Sequence, residues 1–395
     1  RSPFYSRLGD QKAKFFEVMG WERPQWYESN KDLLKGKNFP NRTGWSAKYW
    51  SPIQAAEHLT TRQTGALFDI TGFVKIEVSG KGALALLQKV CTNNINVKVG
   101  KVVYTVISNI YGGIKSDLTV SRLEEDKFWI LAGAGNGMID LSWFKENAPK
   151  DGSVTIIDWT SAYAGVGLWG PNSRKVLESL CEDDDVSNEA FPFFSIKNLS
   201  ISHVPCIAVR ISYIGELGWE IYTPTEYGLT LWDELKEKSQ EFNIICSGAG
   251  AFESLRLEKG YRSLGADIHT NSNPYEAGLG FTVKLKKEQN FIGKDALAKL
   301  KQESPKQKLC CMVMEDSEGM ALGKEPIYDE SSKPVGYITS TNYGYYVDKH
   351  ILYGYLPSTH SEEGTRLEID YFGKRYPVMV TKEPLLDPEN KRLKS

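Results

Sequence analysis

Apolar positions recur at helical or strand spacing from residue 51 to residue 304, in two consecutive sets of similar size. The set over 51–150 predicts helices at 52–65, 80–91 and 137–146 and strands at 73–78, 102–109, 116–122 and 127–133. The set over 151–304 predicts helices at 172–181, 226–240 and 248–258 and strands at 154–158, 163–169, 199–202, 206–212 and 218–222. Two such sets predict a pair of facing α+β subdomains, each an antiparallel sheet backed by helices.

The pattern changes at both ends of this region. Beyond about 305 the helical spacing stops, and short strands between Gly, Ser and Asp clusters predict a small all-β domain over 305–395, a barrel or jelly roll. Residues 1–50 show poor periodicity and contain four tryptophans, Trp21, Trp26, Trp45 and Trp50. Large rings are more often buried against a neighbouring domain than left in water. We therefore interpret 1–50 as an adapter that packs on another domain.

Length and charge narrow the class of protein. A chain of 395 residues is too long for one ordinary core, so two or three domains are expected. The 48 Lys and Arg are interspersed with 50 Asp and Glu, which leaves no basic face for nucleic acid. No apolar run approaches the roughly 20 residues that a membrane span requires. A soluble globular protein with neither nucleic acid nor membrane as partner is expected.

The six cysteines give no sign of a metal site. None forms a C-x-x-C pair or neighbours a histidine at ligand spacing, so no metal is expected. Cys310 and Cys311 lie in an apolar run and are expected to be buried free thiols, which suits a reducing compartment. The chain opens at Arg1 without an initiator Met or a targeting pattern, and it looks like the inside of a longer polypeptide.

Two motifs each place one carboxylate, Asp117 or Glu216, beside glycines in an apolar setting. One is Gly112–Asp117, which precedes the strand-like Leu118–Val120, and the other is Tyr213–Glu220. Glycine lets the backbone approach a flat partner or adopt positive φ, and the strand would hold Asp117 firmly. Either motif alone is more often an Asp at a strand end or a Glu in a hairpin turn. Together they point to a ligand site.

In this order, the motifs resemble the folate-binding aminomethyltransferase family, which includes the T-protein of the glycine cleavage system. Further segments extend the resemblance along nearly the whole chain: 65–70, 168–171, 254–262, 274–279 and 291–296. "ISYIGELGWEIY" at 211–222 and "LRLEKGYRSLGAD" at 255–267 are more similar to the C-terminal half of dimethylglycine and sarcosine dehydrogenases. The openings 1–5 and 20–24 resemble the segment that joins an FAD-containing domain to the folate domain in those enzymes.

The resemblance implies two facing ferredoxin-like subdomains around a folate site, about 51–150 and 151–304, followed by the barrel over 305–395. It implies a tetrahydrofolate-dependent one-carbon transferase that yields methylenetetrahydrofolate. The one-carbon unit would come from an N-methylated amine oxidised by a flavin domain in cis or in trans. FAD would belong to that upstream or partner domain and not to this chain. The expected location is the mitochondrial matrix, with the bacterial cytoplasm as the alternative.

The resemblance also assigns candidate catalytic residues. In the family, the aspartate matching Asp117 lies beside the folate nitrogens that accept the one-carbon unit. A carboxylate there can orient the nucleophilic amine, take its proton and stabilise developing positive charge. Tyr213 matches a tyrosine of the dehydrogenase branch that assists this aspartate, although a core tyrosine with a satisfied hydroxyl is an equal interpretation.

Two further residues are expected to bind folate. Glu216 would accept the paired amino and ring N–H donors of the pterin, because a buried Glu needs such partners. Arg256 would contact folate, or hold the sheet to its helix through Glu220 or Glu258. The T-protein has an asparagine where this chain reads 131–133, Leu-Ala-Gly, so one pterin contact is missing or comes from backbone.

Other interpretations of the sequence compete with this one. Gly165–Gly170 spells a dinucleotide fingerprint, but its glycines fall in a predicted strand and Pro171 follows at once, so no dinucleotide site is predicted. A catalytically silent relative, like the pyruvate dehydrogenase phosphatase regulatory subunit, would share the architecture. A stand-alone folate-dependent aminomethyltransferase or demethylase is the third alternative. Intact Asp117, Tyr213 and Glu216 favour an enzyme.

Overall fold

The computed structural model describes residues 1–316 and 319–395. Its α-helices are α1 (Tyr5–Asp10), α2 (Ile53–Gln63), α3 (Ala83–Val90), α4 (Gly137–Asn147), α5 (Ser173–Leu180), α6 (Gly228–Glu241), α7 (Ala249–Glu258), α8 (Lys294–Gln302) and α9 (Lys391–Lys394). Its strands in the first half are β1 (Ala13–Val18), β2 (Trp21–Tyr27), β3 (Ala66–Asp69), β4 (Val74–Ser79), β5 (Val102–Ser108), β6 (Ile114–Glu124), β7 (Lys127–Ala132), β8 (Thr155–Asp158) and β9 (Tyr163–Trp169). The later strands are β10 (Ile196–Ile201), β11 (Val204–Val209), β12 (Gly218–Pro224), β13 (Ile245–Cys246), β14 (Gln307–Met314), β15 (Pro326–Tyr328), β16 (Pro334–Gly344), β17 (Lys349–Pro357), β18 (Arg366–Tyr371) and β19 (Lys374–Thr381).

Two sheets of the ferredoxin-like kind, which the resemblance implies, form the larger part of the fold, and the periodicity predicts their division into two helix-backed units. The first has the order β5-β6-β7-β4-β8 and the second the order β10-β11-β12-β9-β3-β13. The division between the sheets does not follow the 150/151 boundary, because β3 pairs with β9 in the second sheet and β8 pairs with β4 in the first. Strand pairing depends on tertiary packing, which local pattern does not encode.

Strand register determines which side chains enter the space between the sheets. Residues directly opposite each other on paired strands share a face. One row across the first sheet contains Tyr104, Thr119, Leu131 and Lys75, and one row across the second contains Val209, Glu220, Gly167 and Phe68. Buried side chains from both sheets, Phe68, Trp129, Leu131 and Tyr222 among them, join in a single cluster. We call this shared core the intersheet layer.

The N-terminal segment packs on this same chain. Phe4 and Tyr27 are fully buried in the core of the second sheet. The backbone N–H groups of Tyr27 and Gly248 donate to the Glu57 carboxylate at 2.8 and 2.9 Å. Trp45 is 63% exposed, whereas the other three tryptophans are half-buried within this chain. Segment 1–50 thus packs on the two-sheet domain of this chain, and its contact with a separate flavin domain stays a prediction.

The C-terminal part is a barrel, as predicted. Its strands close in the order β14-β17-β16-β15-β18-β19 around apolar side chains such as Met312, Ile338 and Leu352. Three α-helices were not predicted. They are α1 in the segment 1–50, α8 just before the barrel, and α9, which lies beyond 305 where the helical spacing was expected to stop. A helix of four residues is too short to show a period.

The remaining predictions concern metals, membranes and dinucleotides. All six cysteines are buried free thiols, which confirms the expectation for Cys310 and Cys311. Within residues 1–316 and 319–395 no group of three or more His, Cys, Asp or Glu side chains could hold a metal ion. In the same residues no helix has the length and apolar character of a membrane span. Gly165 and Gly167 lie along β9 and Gly170 directly follows it, and a Cβ at Gly167 would overlap the Trp169 ring.

Candidate active site

Asp117 lies on β6 beside Tyr104 of β5. Because Val106 pairs with Asp117, Tyr104 is its diagonal neighbour on the same face, and its hydroxyl donates to Asp117 Oδ2 at 2.9 Å. The turn before the strand requires glycine at 113, where a Cβ would overlap the Thr270 carbonyl. Burial raises the pKa of Asp117 to about 6, although the Tyr104 hydrogen bond opposes the rise. A carboxyl group with this pKa exchanges a proton near neutral pH.

Tyr213 lies in the loop between β11 and β12. Burial raises its pKa, and the negative charge of Asp117 adds to that rise. Its ring stacks on Phe252 and Tyr261 at centroid distances of 5.4 and 5.9 Å. Its hydroxyl donates to the backbone carbonyl of Arg262 at 2.6 Å, as expected of a core tyrosine. The assistance of Tyr213 to Asp117 stays a prediction.

Glu216 lies in a set of ion pairs that we call the arginine cluster, made of Arg62, Glu216, Glu258 and Arg392. The Glu216 side chain is 1% exposed, and Arg62 Nη1 donates to Oε1 at 2.7 Å. Arg392 Nε lies 2.8 and 3.0 Å from the two carboxylate oxygens. Two guanidinium groups thus already occupy the acceptors that the sequence-based assignment gave to the pterin. The assignment of Glu216 to the pterin stays a prediction that these ion pairs do not favour.

The arginine cluster continues through α2 and α7. Arg62 also pairs with Glu258 Oε2 at 3.0 Å, and His58 Nε2 lies 3.1 Å from Glu258 Oε1. Burial opposes ionisation of Glu258, yet the nearby His58 and Arg62 lower its pKa to about 2. The cluster therefore holds two helices, the 212–217 loop and the C-terminal helix together by fully paired charges.

Arg256 connects helix α7 to neighbouring elements of the described structure. Its side chain is 1% exposed and pairs with Asp267 Oδ2 at 2.7 Å, with Glu253 on the same helix, and with Ser340 Oγ at 2.8 Å. These partners replace Glu220 and Glu258, which were predicted, and they connect α7 to strand β16 of the barrel. All of these partners lie outside the Tyr213–Glu220 motif, so that motif could not indicate them.

Glu220 is a candidate that the sequence analysis did not assign to folate binding. It lies on β12, is 4% exposed and faces the intersheet layer. Its carboxylate accepts one hydrogen bond, from Tyr222 at 2.6 Å, and no other from the described part of the chain. Burial raises its pKa to about 7, against the opposing effects of Tyr222 and Lys75. An acidic residue at an inward position of an apolar strand was the available signal.

Comparisons with known proteins agree with this architecture. The "GCVT N-terminal domain" family matches residues 4–287, and the "Glycine cleavage T-protein C-terminal barrel domain" family matches residues 307–387. The chain is 36% identical to mitochondrial dimethylglycine dehydrogenase of Homo sapiens over 99% of this chain and 45% of that protein. It is 34% identical to an aminomethyltransferase of Symbiobacterium thermophilum over 99% of this chain and 98% of that protein.

A solved structure shows the same fold. The glycine cleavage system aminomethyltransferase T of Bartonella henselae superposes with a TM-score of 0.83 and 25% identity, over 97% of both chains. Fold and matched domains together define the class of tetrahydrofolate-using aminomethyltransferases. This chain belongs to the glycine cleavage T-protein (GCVT) family, and it spans less than half the length of the dimethylglycine dehydrogenases that it matches.

Proposed function

We propose that this chain transfers a one-carbon unit to tetrahydrofolate and yields methylenetetrahydrofolate. The observation that carries the proposal is the pair Asp117 and Tyr104, a carboxyl group with a pKa raised to about 6 and oriented by a neighbouring hydroxyl. General bases work best when their pKa lies near the working pH. A carboxyl group that served only as a strand end would have no need of this environment.

Folate supplies the nitrogen nucleophiles of the reaction. Asp117 would hold the proton that the reacting nitrogen loses, and its negative charge would stabilise positive charge at that end of the site. Tyr104 fixes the orientation of the carboxylate through its 2.9 Å hydrogen bond. The apolar intersheet layer limits access of water to the reacting groups.

Glu220, and not Glu216, would hold the pterin. Its carboxylate keeps acceptor capacity inside a buried layer, whereas the Glu216 carboxylate is occupied by two arginines. A buried polar group without a full set of partners needs an explanation, and the paired donors of a pterin fit a carboxylate of this kind. Asp117 and Glu220 come from facing sheets, so one flat ligand in the layer could reach both.

The donor side of the proposal follows the dehydrogenase-like relatives. A flavin domain, upstream or on a partner, would oxidise an N-methylated amine, and this chain would capture the released carbon before it escapes into water. The similarity to mitochondrial dimethylglycine dehydrogenase over 99% of this chain supports that arrangement and a location in the mitochondrial matrix.

Calorimetric titration with tetrahydrofolate tests the proposal first. We expect binding heat and a raised melting temperature, because a ligand bound only by the native state stabilises it. Capture of formaldehyde by tetrahydrofolate should then run faster than the spontaneous reaction, and Asp117→Asn should remove the acceleration. Absence of both heat and thermal shift at high ligand concentration would overturn the proposal and favour a silent regulatory relative.

A further inference from the structure

Lys75 is a fully buried lysine on β4 that the proposed mechanism has not used. Its Nζ donates to the backbone carbonyls of Thr71 and Phe73, both at 2.7 Å, and lies 5.6 Å from the centroid of the Tyr222 ring. Within residues 1–316 and 319–395 no carboxylate forms an ion pair with it. An ammonium has three donor hydrogens, so one of them lacks a partner in the described residues.

Three carboxylates lie near Lys75, but in the described residues none of them forms an ion pair with it. Burial lowers its pKa to about 7, and Asp69, Glu220 and Asp158 oppose that shift from a distance. Glu220 in turn feels Lys75 as an attractive charge. Burying a lysine without an ion-paired carboxylate costs free energy, so such a lysine is unusual for a residue with only a packing role.

Register places Lys75 and Glu220 on opposite walls of one layer. Lys75 shares its row with Leu131 in the first sheet, and Glu220 lies opposite Gly167 in the second. Tyr222 connects them, because its hydroxyl donates to Glu220 while its ring lies beside the ammonium. The layer therefore offers an unused donor hydrogen and unused acceptor capacity around the same aromatic ring.

We propose that Lys75 and Glu220 together recognise the 2-amino-4-oxo edge of the pterin, with Lys75 Nζ donating to the 4-oxo group. This inference rests on the proposed function. Along that edge a reduced pterin presents an amino group, a ring N–H and a carbonyl oxygen, which are two donors followed by one acceptor. Glu220 takes the donors and Lys75 the acceptor. Lys75 would thus be the residue that selects a 4-oxo pterin and supplies a contact absent at 131–133.

The test compares tetrahydrofolate with its 4-amino analogue in the parent and in Lys75→Met. The parent should strongly prefer tetrahydrofolate, and Lys75→Met should lower the preference by about ten- to a hundredfold, the size of one charge-assisted hydrogen bond. The analogue also lacks the hydrogen on ring nitrogen 3, but that loss affects parent and variant alike. The change in preference therefore isolates the contact made by residue 75.

Lys287→Met is the matched control. Lys287 is a half-buried lysine that donates to the carbonyls of Gln88 and Cys91, both at 2.6 Å, at the end of α3. It should lower stability and leave the preference unchanged. If Lys75→Met does not fold, Lys75→Gln replaces it and should lower the preference at least threefold. An unchanged preference in a folded Lys75 variant would overturn the inference, whereas a parent that binds neither ligand would overturn the proposed function instead.

Discussion

Two groups of buried carboxylates in this chain differ in what surrounds them. In the arginine cluster, Glu216 and Glu258 accept hydrogen bonds from guanidinium groups at 2.7 to 3.1 Å. Around the intersheet layer, Asp117 and Glu220 each accept one hydrogen bond from a tyrosine and pair with no arginine in the described residues. The exposed fractions of Glu216 (1%) and Glu220 (4%) are nearly the same, so burial alone does not distinguish these two glutamates.

The two groups of carboxylates differ in how completely ion pairs and hydrogen bonds satisfy them. A fully paired buried charge maintains structure, because removing one partner leaves the other charged in a low-dielectric interior. An incompletely paired one keeps the capacity to bind a ligand or exchange a proton. Burial also raises the pKa of Glu216, with Arg62 and Arg392 opposing the rise, so pairing and not the direction of the pKa shift separates the two groups. Asp117, at about 6, and Glu220, at about 7, are of the second kind. The following predictions test whether this distinction is functional.

Asp117→Asn should have the largest effect on activity. Removing a general base should lower the rate of one-carbon transfer by about two to four orders of magnitude. Folate affinity and melting temperature should change little, because Asp117 forms no ion pair within residues 1–316 and 319–395. Single-turnover transfer with formaldehyde as donor measures the rate, and titration measures the affinity. A variant that turns over like the parent would remove Asp117 from the mechanism.

Arg62→Met should have the largest effect on stability. It leaves Glu216 and Glu258 without their shared guanidinium, and breaking a buried ion pair costs about 3 to 5 kcal/mol. The control is Arg366→Met, since Arg366 is an exposed partner of Glu315 and should change stability by about 0.5 kcal/mol or less. Urea unfolding of both variants gives the comparison. Equal stability of the two would show that the arginine cluster is not structural.

Acid should weaken the arginine cluster through protonation of Glu258. The pKa of Glu258 is about 2 in the folded chain and its ordinary value is 4.5, so its contribution is complete above pH 4.5 and is lost as the pH falls toward 2. The loss amounts to about 3 kcal/mol at full protonation. Glu258→Gln should unfold with a flatter acid dependence. Parallel curves for parent and variant would contradict the assignment.

Tyr104→Phe should have a smaller effect, visible in the pH profile. Its hydroxyl stabilises the ionised form of Asp117, so its removal should raise the pKa of that carboxyl by up to about one unit. In the parent the transfer rate should increase with pH and level off above about 6. In Tyr104→Phe the midpoint should shift upward. A midpoint that stays in place would show that the Tyr104 hydrogen bond does not control Asp117.

The sequence allowed the fold class and Asp117 to be predicted for local reasons. The spacing of apolar residues distinguishes strands from helices, and the glycines before Asp117 mark a tight turn next to a strand. The distinction between Glu216 and Glu258 on one side and Glu220 on the other was not accessible in this way. Arg392 reaches Glu216 from 176 residues away, and only the folded chain shows that contact. The exchange of β3 and β8 between the sheets escaped prediction for the same reason.

Titration of tetrahydrofolate into Glu216→Gln and Glu220→Gln, with melting temperatures recorded alongside, tests the central claim most directly. Glu220→Gln should weaken folate binding by about ten- to a hundredfold, the loss of one charge-assisted hydrogen bond, while melting close to the parent. Glu216→Gln should melt at a lower temperature and, measured where it is folded, bind folate like the parent. The reverse result, with binding lost in Glu216→Gln and kept in Glu220→Gln, would contradict the account.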